Sequence, residues 1–187
     1  MKISPEKLDE LIKIVHLAGI EIIKIYKKKV TKKYKSDNTP VTNADIKANN
    51  IICKGLKLHF PEISIVSEEQ VKKGKVAKKF WLVDPLDGTK EFLKGNGEFT
   101  VNIGLIENKK PVFGIIYMPT KNKLYFTKNK KSYFSKLSKK GQLSNIRKIK
   151  VKKRNKNIVI LSRSHSLAKS EIEKAKKMIF QRFNANK

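Results

Sequence analysis

Asp84 and Asp87 stand three residues apart, directly after four apolar residues. The apolar run predicts a short buried strand, while Pro85 is expected to end the sheet ladder and Gly88 to permit a sharp turn. The two carboxylates can then converge on one small volume, where they repel each other unless a cation holds them together. Because an all-oxygen cluster suits a hard ion, the pair indicates Mg²⁺.

The residues after this turn add groups that bind phosphate. Thr89 and Lys90 open a stretch that can begin a helix, and the N–H groups at a helix N-terminus bind phosphate. Carboxylates, a hydroxyl, a lysine and amides so close together predict a metal-phosphate site. The alternative is a surface Asp-Pro-x-Asp-Gly turn without chemistry, and the loop alone leaves both interpretations open.

A second strand is also predicted to end in acidic residues. Residues 61–67 indicate a short apolar strand that is followed by Glu68 and Glu69. A solvated acidic pair at a strand end is ordinary. If this strand is a neighbour of the one that ends at Asp84, however, Glu68 and Asp84 can share a cation.

Two helices are predicted before these strands. Residues 4–29 keep an apolar spacing of three to four, with Ser4 as the N-cap. A second helix is expected to begin after Thr42 and to continue through Phe60. Asp45 stands where the acid of a capping box reaches back to the N-cap, which is by itself a complete structural explanation of that residue.

The pattern after residue 97 favours strands. Several short strands at this spacing predict an antiparallel meander packed on the helices. They are expected at residues 99–106, 111–117, 123–127 and 132–137.

The predicted fold class is α/β, with two N-terminal helices layered on an antiparallel sheet and then the start of a second α/β part. Three regions are expected: an N-terminal α+β domain over residues 1–137, a basic linker or exposed hairpin over 138–156, and an incomplete C-terminal subdomain over 157–187. The last region holds an apolar strand at 158–161 that leads to His165.

The composition is strongly basic. The 187 residues carry 44 Lys and Arg against 16 Asp and Glu, for a net charge of +28. Only four of the basic residues are arginine, whereas base recognition and bidentate phosphate contacts favour arginine. We therefore prefer a lysine-biased composition to a specific nucleic-acid partner. The charge attracts small anionic substrates, and it leaves peripheral association with an anionic membrane open.

The cellular location follows from what the sequence lacks. The chain shows no apolar run of 18 residues and no signal-peptide pattern at its start. Its one cysteine, Cys53, falls in an apolar helical pattern and is expected to be a buried thiol. A cytoplasmic protein is therefore expected.

Five stretches together resemble the inositol monophosphatase superfamily of metal-dependent phosphatases. Within it they are most similar to the bacterial 3′(2′),5′-bisphosphate nucleotidases, which remove a phosphate from adenosine bisphosphate. The stretches are residues 40–45, 66–69, 81–92, 96–103 and 162–165. They occur in order, so the resemblance is more specific than any one loop.

The resemblance implies a set of metal ligands. Glu68 and Asp84 would hold one Mg²⁺ together with the backbone carbonyl of Leu86, and Asp84 would bridge to a second Mg²⁺ held by Asp87. Two or more ions are therefore expected. Two cations can polarise a phosphoryl group and stabilise the leaving oxygen.

The resemblance also implies catalytic and substrate-binding residues. Thr89, paired with Asp45, would orient and deprotonate the attacking water, and the expected substrate is a small phosphorylated anion, a nucleotide bisphosphate. The residues implied to contact it are Glu68, Asp87, Gly88, Thr89, Lys90 and His165.

The sequence departs from the family in one respect. Family members continue into a C-terminal part with a Trp-Asp motif, whose Asp is another ligand of the second metal, whereas the only tryptophan here is Trp81. We expect a weaker second metal site, an open substrate pocket and impaired activity. An inositol-1-monophosphatase-type enzyme, an inactive remnant or split-gene fragment, and a basic polyanion-binding protein stay as alternatives. The sequence does not indicate an oligomeric state.

Overall fold

Two helices pack against each other at the start of the chain. The computed structural model describes residues 3–28, 32–34, 40–70 and 77–151. Helix α1 spans Pro5–Tyr26 and helix α2 spans Asn43–His59. The Ser4 hydroxyl accepts a hydrogen bond from the Lys7 N–H at 3.3 Å, so α1 begins at the predicted cap.

The described residues also contain nine strands, a short third α-helix and one 3-10 helix, Pro119–Lys121. The first two strands form a two-stranded sheet. The other seven form a second sheet, in which each strand lies next to the strand that follows it in the sequence. The elements are β1 (Lys32–Tyr34), β2 (Pro40–Thr42), β3 (Ser64–Ser67), β4 (Lys79–Asp87), α3 (Thr89–Lys94), β5 (Thr100–Glu107), β6 (Lys110–Met118), β7 (Lys123–Lys128), β8 (Lys131–Leu137) and β9 (Leu143–Ile149).

The large sheet is mixed rather than antiparallel throughout. Strand β3 pairs with β4 in parallel, and every later neighbouring pair from β4 to β9 is antiparallel. The α/β fold class predicted from the sequence is confirmed, with this one change to the sheet. Parallel pairing matters for the site because it brings the C-terminal ends of β3 and β4 to the same edge.

The core lies between the two helices and one face of the large sheet. Helix α1 contributes Leu11 and Val15, and the strands contribute alternate residues such as Trp81 and Ile103, all of them buried. The Phe60 ring, just after α2, meets the Trp81 ring edge to face at 5.0 Å. This packing fixes α2 above the first strands of the sheet.

Two tight hairpins and two longer turns connect the antiparallel strands from β5 to β9. Asn108–Lys109 and Asn129–Lys130 all have positive φ, between 50° and 63°, the conformation of a type I′ turn that matches the twist of paired strands. Strand β9 lies within the stretch predicted as a basic linker or exposed hairpin. It pairs with β8 as the edge strand of the sheet.

The described residues fall within one compact unit, Met1–Val151. The second unit, Lys152–Lys187, lies outside the described residues, and so do the strand predicted at 158–161 and His165. No helix of the described part is long and apolar enough to cross a membrane.

Candidate functional site

A β-bulge in β4 controls where Asp84 and Asp87 point. In a regular strand, residues three apart face opposite sides of the sheet. Here Asp84 pairs with Asn102 and Asp87 pairs with Thr100, so β4 carries one more residue than β5 over this interval. The extra residue shifts the alternation of side-chain directions along β4, which allows both aspartates to lie on the same side of the sheet.

Pro85 lies inside this bulge and does not end the strand, contrary to the sequence prediction. Pro85 and Leu86 are consecutive buried residues, which breaks the alternation seen earlier in β4. Neither has a partner in the β4–β5 register. Because a bulge leaves its extra residue unpaired, the missing N–H of proline costs no ladder hydrogen bond there.

Glu68 and Asp84 follow matched positions of two parallel strands. Ser67 pairs with Val83, the residues just before them. The Glu68 N–H continues the ladder by donating to the Val83 carbonyl oxygen at 3.0 Å. The neighbouring-strand arrangement that would let the two carboxylates share a cation is therefore the one observed.

The pKa of Asp84 indicates that the other two acids lie near it. Burial, and after it the negative charges of Glu68 and Asp87, together raise the pKa of Asp84 to about 7. Like charges disfavour ionisation of a neighbouring carboxyl. Glu68 and Asp87 are thus each close enough to Asp84 to act on it electrostatically.

The donor set fits a hard cation, although the side chains are not already arranged around one. Among the described residues, no three His, Cys, Asp or Glu side chains are placed so as to hold a metal ion. The Asp84 Oδ1 atom, however, is buried and lacks a hydrogen-bond partner in that part of the chain. Glu68 and Asp87 are exposed, so their side chains can change rotamer towards a shared ion. Carboxylate and carbonyl oxygens are the ligands that Mg²⁺ takes.

Asp45 is held in the first turn of α2 by a capping box. The Thr42 N–H and hydroxyl donate to Asp45 Oδ2 at 2.7 Å and 2.5 Å, and the Thr42 hydroxyl accepts from the Ala44 N–H at 3.1 Å. Asp45 is only 2% exposed. Burial raises the pKa of Asp45, and the hydrogen bonds from Thr42 and Thr89 oppose that rise.

Thr89 connects Asp45 with the bulge. Its hydroxyl oxygen lies 3.2 Å from Asp45 Oδ1 and 3.2 Å from the Leu86 carbonyl oxygen. One hydroxyl proton can serve only one of these acceptors at a time. The structure thus brings Asp45 and Thr89 together from positions 44 residues apart.

Gly88 turns the chain from β4 into α3. Its φ is +92°, and a Cβ atom on it would lie 2.8 Å from the Glu98 carbonyl oxygen. Only glycine fits there without strain. The turn gives α3 its start at Thr89, as the sequence predicts, and Lys90 is exposed on the first turn.

Asn102 is a site residue that the sequence motifs do not reveal. It lies in β5 opposite Asp84, and its Nδ2 donates to Asp87 Oδ2 at 3.0 Å. Asn102 lies in the stretch 96–103 that resembles the family, but the sequence assigned it no role; the pairing register identifies its partners. Of the predicted site residues, His165 alone lies outside the described part.

Comparison with known proteins gives one consistent result. The model of the inositol monophosphatase family matches residues 5–186. A 3′(2′),5′-bisphosphate nucleotidase CysQ of Buchnera aphidicola is 43% identical over 176 residues, which cover 90% of this chain and 64% of that protein. The Escherichia coli K12 protein of the same name is 39% identical over 164 residues, with 85% and 64% covered.

A solved structure agrees with these sequence relatives. It is a crystal structure of CysQ from Bacteroides thetaiotaomicron, described as a bacterial member of the inositol monophosphatase family. It is 33% identical, with a TM-score of 0.66, and the match covers 89% of this chain and 66% of that one. The chain thus spans 64% of the length of the two curated relatives.

Proposed function

This chain belongs to the inositol monophosphatase family, and from this we propose that it hydrolyses a phosphate monoester of a nucleotide bisphosphate. The proposed substrate is adenosine 3′,5′-bisphosphate, with AMP and phosphate as products and Mg²⁺ as the required ion. One observation carries the proposal: Glu68 and Asp84 follow paired residues of two parallel strands, and the charges of Glu68 and Asp87 both raise the pKa of Asp84. The similar proteins of Buchnera and E. coli are named for this activity.

The proposed metal ligands are the Glu68, Asp84 and Asp87 carboxylates and the Leu86 carbonyl oxygen. Bound Mg²⁺ would supply positive charge that polarises the phosphoryl group and favours ionisation of water near neutral pH. The buried, unpartnered Oδ1 of Asp84 supports this assignment, because an unpartnered buried oxygen costs free energy that a cation would relieve.

The proposed proton acceptor is the pair Thr89 and Asp45. Asp45 Oδ1 accepts from the Thr89 hydroxyl, so Thr89 can take a hydrogen bond from water and orient it while Asp45 receives the proton. Thr42 holds Asp45 Oδ2 with two hydrogen bonds and keeps the carboxylate fixed during this step. A base that is held in one position stays aligned with the reacting water, so the catalytic rate is reduced less by misalignment.

The remaining proposed residues bind the phosphate and the rest of the substrate. The Gly88 and Thr89 amides stand at the start of α3, and Lys90 places a charge on the same turn. Glu68 and Asp87 are proposed to contact the substrate in addition to their role as ligands. His165 is proposed to lie near the nucleotide.

The test measures phosphate released from adenosine 3′,5′-bisphosphate by the purified protein. We expect release with Mg²⁺ and none with EDTA. Asp84→Asn should lower the rate by about 100-fold or more, because even residues that only support metal ligands contribute 10- to 100-fold. Asp9→Asn removes the same charge from an exposed position of α1 and should leave the rate unchanged.

Two results would contradict the proposal: release that persists in EDTA, or release by Asp84→Asn at the rate of the unmodified chain. Competition with inositol 1-phosphate separates the substrate classes. If inositol 1-phosphate is hydrolysed faster than the nucleotide, the inositol-type alternative replaces the nucleotidase.

A further inference from the structure

Asn102 stands between the two aspartates of the bulge. It pairs in register with Asp84 across β4 and β5, and its Nδ2 donates to Asp87 Oδ2 at 3.0 Å. One neutral residue of the neighbouring strand is thus paired in register with one acid and hydrogen-bonded to the other. A carboxylate that accepts from an amide N–H is restricted to fewer rotamers than one in water.

Two oxygens on these paired residues have no hydrogen-bond partner. The Asp84 Oδ1 and Asn102 Oδ1 atoms are both buried and both unpartnered within the described residues. Two acceptors cannot satisfy each other. Buried polar atoms are nearly always satisfied in proteins, so two such atoms on adjacent strands indicate a ligand that supplies positive charge or donors.

We propose that Asn102 is a positioning residue of the metal centre, and this inference rests on the proposed function. Its amide N–H holds Asp87 Oδ2 and so orients that carboxylate for the ion. Its Oδ1 accepts a hydrogen bond from solvent at the centre once the ion is bound. Mg²⁺ keeps several water molecules when proteins bind it, so such a donor is available there.

The choice of asparagine follows from these two contacts. An aspartate at position 102 would add a fourth negative charge to Glu68, Asp84 and Asp87 and would have no proton to donate. A leucine, which has a similar branched shape, would offer neither a donor nor an acceptor. Asparagine supplies both without charge, and on two separate atoms.

The test measures Mg²⁺ affinity directly, by titration calorimetry and by the rise of Tm with added Mg²⁺, so it does not depend on activity. We expect Asn102→Ala and Asn102→Leu to weaken Mg²⁺ binding by about 10- to 100-fold, as is usual for residues that orient metal ligands. Asn50→Ala removes the same side chain from an exposed position of α2 and should bind Mg²⁺ like the unmodified chain.

A merely structural role gives a different pattern. It would lower Tm equally with and without Mg²⁺ and leave the affinity unchanged, which would overturn the inference. Asn102→Leu keeps the branched shape of the side chain and removes the unpartnered oxygen, so its metal-free Tm should match or exceed that of the unmodified chain while its Mg²⁺ affinity falls. If the unmodified chain binds no Mg²⁺, the proposed function fails as well. If it binds Mg²⁺ and both variants bind equally, this inference alone fails.

Discussion

The Asp84 carboxyl makes the metal-free protein sensitive to pH. Its pKa rises from 3.8 to about 7 on folding, first through burial and then through the charges of Glu68 and Asp87. Between these values the folded state binds more protons than the unfolded state. The free energy of unfolding therefore falls as pH rises from 4 to 7 and stays low above 7.

The corresponding prediction concerns Asp84→Asn in EDTA. The variant should be more stable than the unmodified chain at pH 8, by about 2 kcal/mol after allowance for partial solvent screening. The difference should shrink as pH falls and vanish below about pH 3, where the aspartic acid is protonated in both states. Urea denaturation over this pH range measures it. If the free energy of unfolding changes equally with pH in both chains, the pKa of Asp84 is not raised by folding and the prediction is wrong.

Local patterns predict some site residues and not their partners. The Thr42 and Asp45 capping box is visible in the sequence because its contacts span only three residues. The hydrogen bond from Thr89 to Asp45 joins residues 44 apart, so no local pattern contains it. The resemblance to the family supplied that pair. Asn102 was missed because its partners, Asp84 and Asp87, are fixed by strand register and by a bulge.

At the scale of elements, the turn from β4 into α3 depends on Gly88. Gly88→Ala should destabilise the fold by about 3 kcal/mol, because the left-handed backbone costs about 1 kcal/mol and the new methyl group meets the Glu98 carbonyl oxygen. Gly95→Ala is the matched control: φ is +75° and nothing lies within 4 Å of the added Cβ. It should cost about 1 kcal/mol.

Thermal and urea denaturation of both variants measure these costs. The contrast isolates the close approach at Gly88, since both positions have the left-handed conformation. Equal destabilisation of the two variants would mean that the Glu98 carbonyl moves aside at no cost. The turn would then not be a rigid support for Thr89.

The helices and most strands of the large sheet could be predicted from the sequence, whereas the parallel pairing of β3 with β4, the bulge and β9 could not. Ser4 and Thr42 cap the helices, and apolar alternation marks β5 to β8. The bulge at Pro85 was not predicted, because a proline after an apolar run reads as a strand end. Strand β9 has mostly exposed side chains, so it lacks the apolar alternation that reveals a strand.

At the scale of the whole molecule, the main feature is the large net positive charge. The chain carries a net charge of +28, mostly from lysines. In the described part the lysines are spread over helices, strands and turns rather than gathered on one element. Such a field attracts any polyanion without selecting one. The polyanion-binding alternative and the nucleotidase proposal therefore differ in how binding responds to salt.

We predict that this chain binds single-stranded RNA only through general charge attraction. Affinity should fall by about 1,000-fold between 50 and 200 mM NaCl, since each neutralised phosphate releases counterions. A DNA strand of the same length should bind with similar affinity, as should an RNA of scrambled sequence. Fluorescence anisotropy with labelled strands at four salt concentrations measures this.

Tight binding that survives 200 mM NaCl, or a clear preference for one RNA sequence, would require contacts beyond scattered lysines. Nucleic acid would then be a ligand of the protein and not only a counterion for its charge.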